Sequence, residues 1–135
     1  MVSSSSELVA ALAREGLGAP RPWLQRTERV EKSAWAGPGG RPTVADHDRT
    51  IAVSGSPSLG LGRSRRITVV DDVVTTGATL YACVKRLEAV HTGATVRAFA
   101  MVRTRGDLAQ VETVLDPVSD GTITLESTGH TRREP

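Results

Sequence analysis

Residues 66–102 constrain the fold more than any other part of the chain. Ile67-Thr68-Val69-Val70 is a run of β-branched residues closed by Asp71 and Asp72. That pattern suits a strand buried on both faces of a parallel sheet. Leu80, Cys83, Val84 and Leu87 then recur at i, i+3, i+4 and i+7, which predicts a helix over about residues 78–90. Gly93 stops it, and Thr95–Val102 (TVRAFAMV) reads as a second buried strand. Two parallel strands joined through a helix form a right-handed β-α-β unit, so the chain is expected to be an α/β domain.

The remaining 98 or so residues, by subtraction of 66–102 from the full length of 135, leave room for one domain over 1–135 and not two. Before the β-α-β unit, Leu8 and Leu12 stand at helical spacing and Ser4 with Glu7 has capping-box form, predicting a helix over about residues 5–15. Gly16 and Gly18 stop it, and Pro20 and Pro22 confine Trp23–Arg26 to an edge strand or extended stretch. Residues 27–48 are polar and hold Gly37-Pro38-Gly39-Gly40 and Arg41-Pro42, the chemistry of a long, mobile loop. Arg49–Val53 is expected as a short strand and Ser54–Ser64 as a flexible connector. After the unit, Asp107–Val114 reads as a short helix, and Gly121–Leu125 with His130–Arg133 as a small C-terminal hairpin.

Composition excludes several classes. A hydrophobic fraction of 39% with 24% charged residues describes a globular chain, and no apolar run approaches the ~18 residues of a membrane span. Met1–Ser6 lacks the basic cluster and apolar stretch of a secretory signal, so the cytoplasm is the expected compartment. The single cysteine, Cys83, excludes an internal disulfide and a paired-cysteine zinc site, and its place on the apolar stripe of the helix marks it as a core residue. The net charge is +2, but Arg is dispersed and aromatic residues are 3% of the chain. That argues for a solvated surface and against a nucleic-acid partner. His47, His91 and His130 show no metal-ligand spacing.

Chemistry concentrates in Val69-Val70-Asp71-Asp72-Val73-Val74-Thr75-Thr76-Gly77-Ala78-Thr79-Leu80. The segment leaves the carboxyl end of a parallel strand, where open α/β sheets hold their ligands, and enters a helix. A helix N-terminus offers unpaired N–H groups and about half a positive charge. Thr75, Thr76 and Thr79 add hydroxyls and Gly77 lets the backbone close on an anion, which makes a phosphate cradle. Asp71 and Asp72 repel a phosphate, so they serve a cation or another part of the ligand, such as the vicinal hydroxyls of a ribose. A purely structural loop is the plainer alternative.

The segment closely resembles the phosphoribosyl-pyrophosphate (PRPP) motif of type I phosphoribosyltransferases. It combines a hydrophobic strand, an acid pair, a two-residue spacer, Thr-Thr-Gly-Ala-Thr and a following helix. A looser likeness to bacterial ComF-like members covers Lys32-Ser33-Ala34, Arg41-Pro42-Thr43 and Met101-Val102-Arg103-Thr104. The resemblance implies a type I phosphoribosyltransferase-like parallel sheet flanked by helices. It also implies that Asp71 and Asp72 bind the ribose hydroxyls and that Val73, Val74, Thr75, Thr76, Gly77, Ala78 and Thr79 wrap the 5′-phosphate. The implied activity is that of a transferase of nucleotide metabolism, a glycosyltransferase moving the phosphoribosyl group between PRPP and a purine- or pyrimidine-like base. Mg2+ would be bound through the pyrophosphate, with no direct protein ligand. Lys32 on the 27–48 loop is the expected contributor to pyrophosphate, with Arg26, Arg29 and Arg41 as alternates, and Arg103 and Arg105 could face the crevice.

The acid pair also resembles that of response-regulator receiver domains. Those domains need a phosphoacceptor Asp and a Lys at the ends of later strands, whereas here the later strand ends in Val102-Arg103-Thr104 and Lys85 lies on the helix. One feature departs from the phosphoribosyltransferase pattern. Family members place a strand and a pyrophosphate-binding loop before the first helix, and only Met1–Ser4 precede it here, so an N-terminally truncated domain is expected. Three expectations follow: a fragment of a longer enzyme, a non-catalytic regulatory module that binds a phosphoribosyl ligand, or a homo-oligomer or other assembly completed by a partner chain.

Overall fold

Arg66–Val74 and Thr95–Arg103 pair in parallel, from Arg66 opposite Thr95 to Val74 opposite Arg103, and the helix Ala78–Val90 connects them. The computed structural model describes residues 4–28, 42–54, 66–104 and 120–134. In chain order its elements are α1 (Ser4–Arg14), β1 (Leu24–Arg26), α2 (Val44–Arg49), β2 (Ile51–Val53), β3 (Arg66–Val74), α3 (Ala78–Val90), β4 (Thr95–Arg103), β5 (Thr122–Leu125) and β6 (Thr131–Glu134). Among the described residues, β1 and β2 form an antiparallel pair, β3 and β4 a parallel pair, and β5 and β6 an antiparallel hairpin. The architecture is mixed α/β, as the β-α-β pattern predicts, but its strands form small separate sheets among the described residues and not one parallel sheet.

The core lies where α3 meets β3 and β2. Leu80, Cys83 and Leu87 from the apolar stripe of α3 bury against Val69, Val74 and Ile51, with Ala82 beside them. Burial pushes the Cys83 thiol pKa up to about 11, which keeps it protonated and inert at neutral pH. Trp23 stacks on His91 at the end of α3, ring centroids 4.5 Å apart, and His91 is 4% exposed. Both side chains thus serve packing.

Three differences from the sequence reading have identifiable causes. Residues 44–48, expected as loop, lie in α2. Thr43 and Asp46 close a reciprocal capping box, the Asp46 N–H donating to Thr43 Oγ1 and the Thr43 N–H donating to Asp46 Oδ2. The Thr43 N–H and hydroxyl, with Arg49, hold the Asp46 carboxyl down at about 2. Arg86 of α3 then grips Asp48 of α2 through two nitrogens, at 2.6 and 3.0 Å from the carboxylate. Thr43→Ala is expected to cost about 1 kcal/mol in urea unfolding, and Thr43→Ser to recover most of it.

Secondly, β3 does not end before the acids. The ladder to β4 continues through Asp71 opposite Ala100 and Val73 opposite Val102, so both acids are strand residues. Thirdly, β3 is only partly buried, and among the described residues β4 is its one strand neighbour. Arg66, Thr68 and Val73 of β3 are exposed, as are Phe99, Met101 and Val102 of β4. Lys32 and the residues beside it, Arg29, Arg41, Arg105 and the helix expected at 107–114 lie outside the described residues.

Candidate functional site

The loop between β3 and α3 is short and tightly turned. Thr75 and Thr76 bend away from the strand, and Gly77 takes up the N-cap of α3 at φ 92°, a left-handed conformation that favours glycine. No side chain caps this helix start. The Gly77 carbonyl already accepts the Tyr81 N–H at 2.8 Å, so the helix is regular from its first turn. Its opening N–H groups therefore have no intrahelical partner and offer an anion their dipoles.

The two acids of β3 differ in their surroundings. Asp71 is half-buried and lines a cleft, whereas Asp72 does not. The Oδ1 atom of Asp71 accepts the Ser5 hydroxyl at 3.1 Å and the Asp72 N–H at 3.0 Å. Burial nonetheless pushes the Asp71 pKa up from its ordinary value. Asp72 is held below its ordinary value, first by a hydrogen bond from the Ser4 side chain and also by the Val73 N–H, 2.9 Å from its Oδ1. The N-terminal turn of α1 therefore reaches both carboxylates with serine hydroxyls.

The cleft measures about 250 Å³, just below the ~300–1,000 Å³ usual for small-molecule sites. Ser5, Asp71, Thr79 and Arg26 give it polar groups, and Leu24, Ile51, Val69 and Leu80 give it apolar walls. Arg26 is steadied by donating to the Thr50 hydroxyl at 3.0 Å. At Thr79 the hydroxyl lies 3.4 and 3.5 Å from the two ring nitrogens of His47 on α2. Burial, with the charge of Arg26, lowers the His47 pKa and favours the neutral ring.

The cleft thus brings together Asp71, Thr79 and Arg26 of the residues singled out in the sequence. Thr75 is exposed, Thr76 half-buried and Gly77 buried in the loop beside it, and none of the three lines the cleft. Val73 and Val74 belong to β3, and Ala78 is buried at the start of α3. Arg103 is half-buried at the carboxyl end of β4, opposite Val74. Ser4, Ser5 and His47 are additions of the fold. The two serines carry a helix-start signal in the sequence and nothing that points to β3, and His47 is 32 positions from Thr79.

Comparison with protein-family models, curated proteins and solved structures finds no match to this chain. Among the described residues, no helix is long and apolar enough to cross a membrane.

Proposed function

We propose that the chain is a type I phosphoribosyltransferase-like domain. It binds PRPP or another ribose 5-phosphate ligand, transfers the phosphoribosyl group to a nitrogenous base or back, and works in the cytoplasm. The reading rests on one observation: the PRPP-like segment forms a strand, a turned glycine loop and an uncapped helix start in direct succession, with one of its acids in a cleft. The helix start and the Thr75–Thr79 backbone suit a doubly charged 5′-phosphate. Asp71, an acceptor in the cleft, suits a ribose hydroxyl, which would replace the hydroxyl of Ser5.

In the transfer, the C1–O bond to pyrophosphate breaks with its electron pair, a nitrogen of the base bonds to C1, and the nitrogen's proton passes to solvent. Asp71 holds the ring hydroxyl so that C1 faces the base, and the apolar wall of Leu24, Ile51 and Leu80 limits access of competing water. Neutralisation of the leaving group would come from Mg2+ bound through the pyrophosphate. The ionised carboxylate of Asp72 is compatible with a cation carried in on the ligand. The size of the cleft favours a second reading, a regulatory module that binds one sugar phosphate without turning it over.

PRPP with magnesium at 100 times its dissociation constant is expected to stabilise the chain by about 2.7 kcal/mol, seen as a rise in Tm of roughly 10 °C. No rise at any PRPP concentration contradicts both readings. Release of pyrophosphate from PRPP in the presence of a panel of bases then separates them: turnover supports the transferase, and binding without turnover supports the module.

A further inference from the structure

The C-terminal hairpin touches the motif loop from a side that the cleft does not reach. Ile123 pairs with Arg133 and Leu125 with Thr131 across the hairpin, so these four side chains share one face. Three of them meet the loop. The Thr131 hydroxyl donates to the Thr76 carbonyl at 3.0 Å, and Thr131 is 6% exposed. Arg133 Nη1 donates to the Val74 carbonyl at 3.2 Å, beside the Thr104 N–H at 3.0 Å from the same oxygen. Ile123 packs on Gly77. None of the three lines the cleft.

The consequence follows from the planarity of the peptide group. In a trans peptide the carbonyl of one residue and the N–H of the next point in opposite directions, and no described peptide bond is cis. A Val74 carbonyl held towards β6 turns the Thr75 N–H away from β6. A Thr76 carbonyl held the same way turns the Gly77 N–H away as well. Among the described residues neither N–H has a hydrogen-bond partner.

We propose that Thr131 and Arg133 are positioning residues for the phosphate: by holding the Thr76 and Val74 carbonyls to β6, they aim the Thr75 and Gly77 N–H groups together at the opposite side of the loop, where an anion meets both. The inference rests on the ribose 5-phosphate reading above. It adds that the hairpin, distant in sequence from the motif, sets the affinity of the loop for phosphate.

Ribose 5-phosphate titrated into the full chain, followed by calorimetry and by the amide resonances of Thr75 and Gly77, tests this. Thr131→Val keeps the shape and removes the donor. It is expected to weaken binding about ten-fold, equivalent to ~1.4 kcal/mol, and to diminish the ligand-induced shifts of the two amides. Thr131→Ser is expected to restore both. Thr124→Val, on the other face of the hairpin, is expected to change neither. If Thr131→Val fails to fold, Arg133→Gln carries the same expectation. Parent-like affinity in a folded Thr131→Val or Arg133→Gln overturns the positioning role alone. Absence of binding by the parent chain overturns the ribose 5-phosphate reading and this inference with it.

Discussion

Gly77→Ala is expected to destabilise the chain by about 2–4 kcal/mol in urea unfolding, the sum of a left-handed backbone penalty and an overpacking penalty. Gly77 sits at φ 92°, where an L side chain is strained whatever the space around it. The space is also taken. A Cβ there would lie 2.6 Å from Ile123 Cδ1, 3.0 Å from Cγ1 and 3.1 Å from Cγ2. Three atoms of one branched side chain are too close, so rotating its tip alone does not relieve the clash. A double-mutant cycle separates the two penalties. Ile123→Ala costs packing in the parent, but in the Gly77→Ala background it is expected to cost less or to stabilise, because it removes the clash and leaves only the backbone strain. A Gly77→Ala variant within ~0.5 kcal/mol of the parent, inside the range of ordinary surface substitutions, contradicts the close packing of hairpin on loop.

Asp71→Asn is expected to separate stability from binding. The neutral amide keeps an oxygen that accepts the Ser5 hydroxyl and the Asp72 N–H. It also removes a charge that burial disfavours. The sign follows from the raised pKa of Asp71. As pH rises above the ordinary carboxylate value, the unfolded chain loses this proton first, so folding loses stability until the pH passes the folded-state pKa. The penalty is fully present once the pH exceeds the folded-state pKa, and Asn escapes it. The variant's Tm at pH 7 is therefore expected to equal or exceed that of the parent, while the roughly 10 °C rise given by saturating PRPP falls towards zero. A Tm several degrees below that of the parent would show that the Asp71 charge stabilises the fold. Asp72 has the opposite sign: its lowered pKa adds stability that is lost as the medium is acidified through its folded-state pKa.

Local patterns carried much of this fold. The stripe Leu80-Cys83-Val84-Leu87 predicts the helix that forms over Ala78–Val90, and the strand after Gly93 forms as Thr95–Arg103. The hairpin is legible for the same reason, since Ser127-Thr128-Gly129 is a turn between two short β-prone runs. In contrast, α2 depends on a single capping pair, Thr43 and Asp46, at the end of a stretch full of Gly and Pro. Such a short signal is outweighed locally and wins through tertiary support, here Arg86 holding Asp48. The acid pair and the glycine loop of the candidate site are likewise legible. Its supports are not, because Ser5 lies 66 residues from Asp71 and Thr131 lies 55 from Thr76. Contacts that distant arise from packing, and one sequence holds no periodic trace of them.

The two halves of the proposed site make separate demands on a ligand. The loop of Thr75–Thr79 requires the phosphate, and Asp71 requires a ring hydroxyl. Calorimetric titration of the full chain with ribose 5-phosphate, 2-deoxyribose 5-phosphate and ribose examines both together. Expected is measurable binding of ribose 5-phosphate, with each of the other two weaker by about ten-fold or more, since each leaves one group of the site unmatched. No binding of ribose 5-phosphate, or equal affinity for all three sugars, would contradict the phosphate loop and Asp71 acting on one phosphoribosyl ligand.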